Sequence, residues 1–291
     1  MNEISNIGEL KDPILVAGFV TRRKAGRIGS RAVAHLASQW GAELVARLDA
    51  EDYIDFRSER PESQYSGDKR IIKWPDTLVY LARPPGAEHD FLLIIGFEPH
   101  FQWKAFAEEL TRYADEAGVK TLVGLRGFPA SIPHTRPAPV LMNTSDPELQ
   151  TLFGTQSSRP KYEGPTDILG VLAAAGQNRG WKTVDLSALQ PAYYPRMRNA
   201  AASIALTKLI DKAFKTTTAI DALEVTAAEQ RESIEQSMDA ESLATIGDLE
   251  QRYDESLSNS EFLSSTSAEE LPTGEEFLNE VERILRLHDG G

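Results

Sequence analysis

The sequence contains no cysteine among its 291 residues. Disulfide bonds, cysteine nucleophiles and thiolate metal sites are therefore excluded, and such a composition is typical of the reducing cytoplasm. Long apolar runs are also missing, because the two longest, residues 14–20 and 91–97, are far shorter than the roughly 20 residues of a membrane helix. The first twelve residues lack the apolar stretch of a signal peptide. We expect a soluble cytoplasmic protein with no membrane partner.

Lysine is absent from the last quarter of the chain. Residues 219–291 hold nineteen Asp and Glu against four Arg, a net charge of −15, and because the whole chain carries −13, residues 1–218 carry +2. Such an acidic region repels nucleic acid, whose binding depends on Lys and Arg contacts to phosphate. We therefore expect no nucleic-acid partner. The acidic region either keeps the protein in solution or meets a basic partner.

Several catalytic and metal-binding patterns are absent as well. The sequence has no Gly-x-Ser-x-Gly elbow and no His-Glu-x-x-His motif, and its five histidines, at 35, 89, 100, 134 and 288, lack metal-ligand spacing. We therefore predict no metal site, no cofactor and no catalytic residues, and we expect a protein that is not an enzyme.

Apolar runs of strand length alternate with helical patterns over the first 218 residues. Residues 13–20 predict a buried central strand, and the helix that follows has Ser30 placed as its N-cap and Gly41 as its end. Further strands are predicted at 44–48, 53–58, 70–74, 78–82, 90–97, 121–125, 140–142 and 183–189, and further helices at 103–117, 166–177 and 197–214. Strands 53–58, 70–74 and 78–82 are predicted as antiparallel additions at a sheet edge. The pattern predicts a three-layer α/β/α domain with a mainly parallel mixed sheet.

Residues 219–291 form a second predicted region, made of acidic amphipathic helices that include a helical hairpin. A Ser-rich linker is predicted near residues 258–272, followed by a last helix that a capping box at Thr273 and Glu276 begins. The apolar stripes are too narrow to form a core of their own. We therefore expect these helices to dock on the α/β domain, on each other or on another subunit.

Several motifs occur together in a characteristic order. The run 119–140, with Pro-His-Thr-Arg-Pro at residues 133–137, is joined by Gly-Pro-Thr within 162–172 and by Glu-Pro plus Trp within 91–106. Ser-Asp-Pro-Glu at 145–148 and the region 40–52 add to them. Over most of residues 13–214 the chain resembles the proteasome-assembly-chaperone type-two family. The resemblance implies a phosphorylase/hydrolase-like body and, in the bacterial branch, a helical C-terminal extension.

The resemblance also implies a function. Eukaryotic and archaeal relatives are linked to proteasome assembly, so we expect a homo-oligomer, with a trimer as the working hypothesis, and a protein partner related to proteasome assembly. This chain departs from the family at two places. It ends Leu-His-Asp-Gly-Gly where archaeal relatives can carry a docking tail with a penultimate Tyr, and Ala192 stands where the family often has His.

Two groups of residues are candidates for ligand binding. His134, Thr135 and Arg136 offer a titratable ring, a hydroxyl and a guanidinium on a loop after a buried strand, where α/β sheets present ligand sites. The alternative is a loop that two prolines stiffen, with its polar groups bound to neighbouring backbone or to another subunit. Gly164, Pro165 and Thr166 either present backbone N–H groups to an anion or simply begin a helix.

Arg27 is the last candidate, because the basic loop 21–29 follows the first central strand and leads into a helix. That position suits a phosphate, although the loop matches neither the Gly-x-x-x-x-Gly-Lys-Ser/Thr nor the Gly-x-Gly-x-x-Gly pattern. Two functions therefore stay open. The leading hypothesis is a non-enzymatic oligomeric chaperone or scaffold, and the alternative is an enzyme or binder for a nucleoside, nucleotide or other small molecule, which rests on analogy of fold alone.

Overall fold

The computed structural model describes residues 1–21, 25–154, 164–193 and 199–258, without the side chains of 240–243 and 256–258. The strands are β1 Asn2–Glu3, β2 Ile14–Val20, β3 Glu43–Leu48, β4 Glu62–Ser66, β5 Lys69–Lys73, β6 Thr77–Ala82, β7 Phe91–Phe97, β8 Thr121–Ala130, β9 Val140–Asn143 and β10 Lys182–Pro191. The helices are α1 Ile28–Gln39, α2 Trp103–Glu116, α3 Pro147–Phe153, α4 Ile168–Asn178, α5 Ala200–Phe214, α6 Asp221–Gln236 and α7 Ala240–Ser258.

Eight strands form one mixed sheet in the order β1-β3-β6-β7-β2-β8-β10-β9. The central strands β7, β2, β8 and β10 pair in parallel, whereas β1, β6 and β9 pair with their neighbours antiparallel. Strand β3 runs parallel to β2, with β6 and β7 between them, so the predicted crossover unit is present. The mainly parallel mixed sheet is confirmed.

Helices cover both faces of this sheet. Successive side chains of a strand point to opposite faces, so each buried strand contributes to the cores on both sides. In β2, Ile14 and Val16 contribute to the core under α1, α3 and α5, while Leu15 and Ala17 contribute to the core under α2 and α4. All four side chains are at most 4% exposed. The three-layer α/β/α architecture that the apolar runs predict is therefore confirmed.

The region between β3 and β7 differs from the prediction. Residues 53–58 form turns rather than a strand, and the polar segment between the predicted strands 53–58 and 70–74 contains β4, which pairs with β5 in a separate two-stranded sheet. Strand β6 lies inside the main sheet, between β3 and β7, rather than at its edge. All ten strand residues of the hairpin β4–β5 are exposed, so its sequence lacks the pattern of apolar residues that indicates a strand packed on a core.

Helix boundaries show two further corrections. Helix α1 begins at Ile28 with Arg27 as its N-cap residue, so Ser30 is not the cap, and its hydroxyl instead donates to the Arg27 carbonyl. Helix α4 begins at Ile168, where the Asp167 carboxylate caps the backbone N–H of Gly170, so Thr166 lies outside the helix. Short helix α3 was not predicted, although Asp146 followed by Pro147 is a typical helix start.

Helices α6 and α7 continue the chain beyond residue 218. Helix α6 packs beside α5 and buries one residue, Ile234, while its other residues are partly or fully exposed. The predicted Ser-rich linker 258–272 and the last helix lie almost entirely outside the described residues, as does the predicted start of α5 at residue 197.

Candidate functional site

The carboxyl ends of β2 and β8 separate from each other, and the start of α1 fills the gap. The two strands pair only from Ile14–Thr121 to Ala17–Gly124, although each continues beyond that point. A Cβ atom on Gly29 would lie 1.8 Å from the carbonyl oxygen of Leu125, and one on Gly18 would lie 2.6 Å from the Gly29 carbonyl carbon. Only glycine permits this close backbone approach. The ends of the strands therefore surround a narrow cleft.

Three charged side chains lie in this cleft. Arg126, in the middle of β8, bridges two carboxylates, with Nη1 to Asp167 Oδ1 at 3.1 Å and Nη2 to Asp185 Oδ1 at 3.0 Å. Gly124 makes room for Asp185, since a Cβ there would lie 2.4 Å from Asp185 Oδ1. Burial raises the pKa of Asp185, and the neighbouring Arg126 opposes that rise. The cluster therefore couples β8, β10 and the first turn of α4.

The cleft is small, with a volume of about 20 Å³. That space holds about one water molecule and not a nucleoside. Gly26 and Gly29 line it, whereas Arg27 is exposed and is not among its lining residues. The amide of Ile168, which begins α4, donates to the Glu98 carboxylate at 3.1 Å.

Gly164, Pro165 and Thr166 precede α4 and are exposed. Because Asp167 and Glu98 already accept from the first amides of α4, this helix start is bound by carboxylates of the chain itself. Anion binding at 164–166 and phosphate binding at Arg27 stay predictions.

The loop of residues 133–137 contacts the C-terminal helices. Arg136 forms a bidentate pair with Asp254 of α7, from Nε at 3.0 Å and from Nη2 at 2.8 Å, and its Nη1 lies 3.1 Å from Glu250. The Thr135 hydroxyl donates to the same Glu250 carboxylate. Hydrogen bonding to Arg136 lowers the pKa of Asp254.

Helix α7 also attaches through Tyr253. Its hydroxyl donates to the Pro137 carbonyl at 2.8 Å, and its ring is buried in a small cluster with Ala130, Ile132 and Leu189. Two carboxylates and one aromatic ring of α7 therefore hold it against this loop. The polar side chains of this loop bind carboxylates of α7 in the same chain, which is none of the sequence-based alternatives, and ligand binding at His134, Thr135 and Arg136 stays a prediction.

His134 lies beneath α6, with its side chain 4% exposed. The Tyr193 hydroxyl accepts from the His134 backbone N–H at 2.8 Å and forms a second hydrogen bond, also of 2.8 Å, with the ring Nδ1. Within the described ranges, Nε2 has no hydrogen-bond partner and lies 4.0 Å from the Glu235 carboxylate. Burial lowers the pKa of His134, and burial also raises the pKa of Tyr193 to about 12.

The structure therefore places the predicted residues in three locations. His134, Thr135 and Arg136 lie together against α6 and α7, whereas Gly164, Pro165 and Thr166 lie at the start of α4, and Arg27 caps α1. Sequence reasoning missed Arg126, Asp167 and Asp185. Their only signal was a charged residue inside a buried strand, for Arg126 and Asp185, and a carboxylate just before a helix, for Asp167.

Two features of the described residues concern membrane spanning and metal binding. None of the helices in that part of the chain is long and apolar enough to cross a membrane. No group of three or more His, Asp or Glu side chains there is arranged to hold a metal ion.

A family model described as the PAC2 family matches residues 16–238, about three quarters of the sequence. The chain belongs to the PAC2 family. The predicted resemblance is thereby confirmed. A comparison with curated proteins finds no match.

Solved structures of PAC2 relatives share this fold. A PAC2 family protein from Streptomyces avermitilis is 36% identical, with a TM-score of 0.72 over 80% of this chain and 99% of its own. A Mycobacterium tuberculosis proteasome-assembly chaperone homologue is 32% identical, with a TM-score of 0.69 over 78% of this chain and 96% of its own. A second Mycobacterium tuberculosis protein, of unknown function, is 27% identical, with a TM-score of 0.75 over 87% and 88% of the two chains.

Proposed function

We propose that this PAC2 protein is a non-enzymatic, oligomeric chaperone or scaffold that binds protein partners related to the proteasome. The observation that carries the proposal is the 32% identity to a proteasome-assembly chaperone homologue over 96% of that homologue's length. In this scheme residues 1–218 form the α/β body and residues 219–291 the acidic helical region. The trimer is the working hypothesis for the oligomer.

The hairpin β4–β5 supplies a surface for such a partner. Tyr65 is 67% exposed, and Ile71, Ile72 and Trp74 are each 46% exposed. Isolated two-stranded hairpins are marginally stable in water, and clustered exposed apolar side chains usually mark a protein contact. Arg70 lies over the Tyr65 ring at 5.6 Å, so a cation borders the apolar surface. The exposed surface combines apolar side chains with a cation, which suits a protein partner better than a small molecule.

The test is binding to purified proteasome α subunits from the same organism. The full chain, immobilised, should retain them, and a variant that replaces Tyr65, Ile72 and Trp74 with Ser should lose most of that binding. A matched control replaces three exposed apolar residues elsewhere, Ile4, Leu152 and Val225, with Ser and should bind as the unchanged chain does. Equal binding by both variants would show that the hairpin is not the binding surface. Failure of the unchanged chain to bind would contradict a proteasome-related partner.

The small-molecule alternative lacks an observation in its favour at the ends of the strands. The cleft there is about 20 Å³ in volume, and its arginine already bridges two carboxylates of the same chain. A nucleoside would have to displace that network. We therefore propose the protein-binding function alone.

A further inference from the structure

The imidazole ring of His134 is enclosed where the α/β body meets the acidic helices. Its side chain is 4% exposed, although the ring is titratable near neutral pH. On the side of the body, the Tyr193 hydroxyl forms a hydrogen bond of 2.8 Å with the ring Nδ1. On the other side lies the last turn of α6, which contributes Glu235. The ring is therefore covered by the end of a helix that belongs to the acidic region.

The second ring nitrogen, Nε2, is poorly placed for a positive charge. Within the described ranges it has no hydrogen-bond partner, and the Glu235 carboxylate lies 4.0 Å away. An N–H to oxygen hydrogen bond is about 2.7–3.2 Å long, so this carboxylate is too distant to accept one. Protonation turns both ring nitrogens into donors. The buried ring would then carry a charge and a donor without an acceptor, which is unfavourable.

The charged groups around the ring compensate this charge only in part. Arg231 and Glu235 face the ring from α6, and Glu250 faces it from α7. The two carboxylates favour the protonated ring, whereas Arg231 opposes it. However, Glu235 is 49% exposed and therefore screened by water, and Glu250 already pairs with Arg136. Burial is the larger effect and lowers the pKa of His134.

The end of α6 above the ring is lightly attached. Helix α6 buries one side chain, Ile234, which directly precedes Glu235. At the opposite end of the helix, Glu224 pairs with Lys208 of α5 at 3.7 Å. Opening the last turns of α6 therefore removes one apolar side chain from its packing and leaves the central sheet intact.

We propose that the last turns of α6 form a cover over His134 that opens when the ring takes up a proton, while the central sheet stays folded. Opening gives the charged ring access to water. Because the open form binds the proton more tightly than the closed form, opening is favoured as the pH falls below about 6.5, the ordinary pKa of histidine. Mild acid thus loosens the attachment of the acidic region. This inference does not depend on any proteasome partner, because it concerns the isolated chain.

The absence of cysteine allows a direct test by thiol labelling of the full chain. Ile234→Cys places a thiol at the buried contact of the cover, and Val225→Cys places one on the same helix at a position that is 60% exposed. Dividing the reaction rate of the first thiol with 4,4′-dithiodipyridine by that of the second removes the effect of pH on the thiols themselves. From pH 7 to pH 5 this ratio should rise about fivefold, whereas with His134→Gln added it should change by less than about twofold.

Three further variants distinguish the cover from general loosening. Ala17→Cys, in the fully buried strand β2, should stay unreactive from pH 7 to pH 5. Glu235→Gln removes a charge that favours the protonated ring, so it should raise the labelling ratio of residue 234 at pH 5 by a further factor of about two. Glu232→Gln, about one turn away on the same exposed helix, should leave that ratio unaltered.

Four outcomes would overturn the inference. A ratio that stays level from pH 7 to pH 5 would show that the cover does not open, and an equal rise with His134→Gln would assign the opening to another group. Reaction of Ala17→Cys in parallel with Ile234→Cys would show that the whole chain unfolds. Equal effects of Glu235→Gln and Glu232→Gln would show that the charge does not develop on the ring.

Discussion

At the residue scale, Arg136 connects the α/β body to the acidic helical region. It contacts both Asp254 and Glu250, and its side chain is 31% exposed, so these are partly screened ion pairs with good bidentate geometry. The sequence drew attention to this arginine as part of the Pro-His-Thr-Arg-Pro motif. Its partners could not be predicted, because they lie more than 110 residues away in the chain.

Replacing Arg136 should release α7 without unfolding the body. In Arg136→Ala, amide hydrogen exchange in α7 should increase several-fold, while exchange in β2 and β8 stays unchanged, because only the contacts to α7 are lost. Arg112→Ala is the matched control, since Arg112 pairs with Glu116 one turn away on the exposed face of α2. Unchanged exchange in α7, or equal increases in both variants, would contradict the role of Arg136.

Acid should loosen the same contact. The pKa of Asp254 is lowered from 3.8 by its hydrogen bonds to Arg136, so the stabilisation is complete above about pH 4 and is lost as the pH falls through the lower pKa of the folded state. Exchange in α7 should therefore rise below pH 4 in the unchanged chain, with little further rise in Arg136→Ala. An equal acid response in the two proteins would contradict the pairing.

His134 predicts a second pH effect, in a higher range. Its pKa lies below 6.5 because burial disfavours the charged ring, so the unfolded chain binds the proton more tightly than the folded one. The surrounding charges are mixed, since Glu235 and Glu250 raise the pKa while Arg231 lowers it. Stability should therefore fall as the pH drops below about 6.5.

A comparison with His134→Gln isolates this effect. The melting temperature of the unchanged chain should fall more steeply between pH 7 and pH 5 than that of the variant, which has no titrating ring. Parallel curves, or a steeper fall in the variant, would contradict a neutral buried ring.

At the element scale, the sequence predicts the central strands well and the added elements poorly. Strand β2 is apolar on both faces, so its period and length identify it without any knowledge of partners. The exposed hairpin β4–β5 has no such pattern. The predicted edge position of β6 is wrong because the sequence alone does not give the order of strands in a sheet. The cleft at the ends of β2 and β8 was equally hidden, since Arg126 meets Asp185 only through the pairing of β8 with β10.

Gly29 tests how α1 enters the gap between β2 and β8. Gly29→Ala would place a Cβ atom on the Leu125 carbonyl, and the resulting overpacking should lower the free energy of unfolding by at least about 3 kcal/mol. Gly247→Ala is the control, because nothing lies within 4 Å of a Cβ there and a helical alanine should be neutral or stabilising by about 1 kcal/mol. Denaturant unfolding measures both, and equal stability of the two variants would contradict the close approach.

At the scale of the whole molecule, the protein is a three-layer α/β/α body of the PAC2 family with helices attached to one of its loops. The acidic charge lies almost wholly in the attached region, and the body carries a small positive charge. The contacts of Arg136 with α7 show how the two regions meet within one chain. In the proposed function, the hairpin β4–β5 and the acidic helices are the surfaces that contact other proteins.

The most direct test of this account is the mass of the full chain in solution, measured by light scattering alone and with purified proteasome α subunits. The account predicts an oligomer, with a trimer of about three times 32.2 kDa as its working form, that gains mass when the subunits are added. A single 32.2 kDa species that stays unchanged in their presence would contradict an oligomeric scaffold for proteasome-related partners.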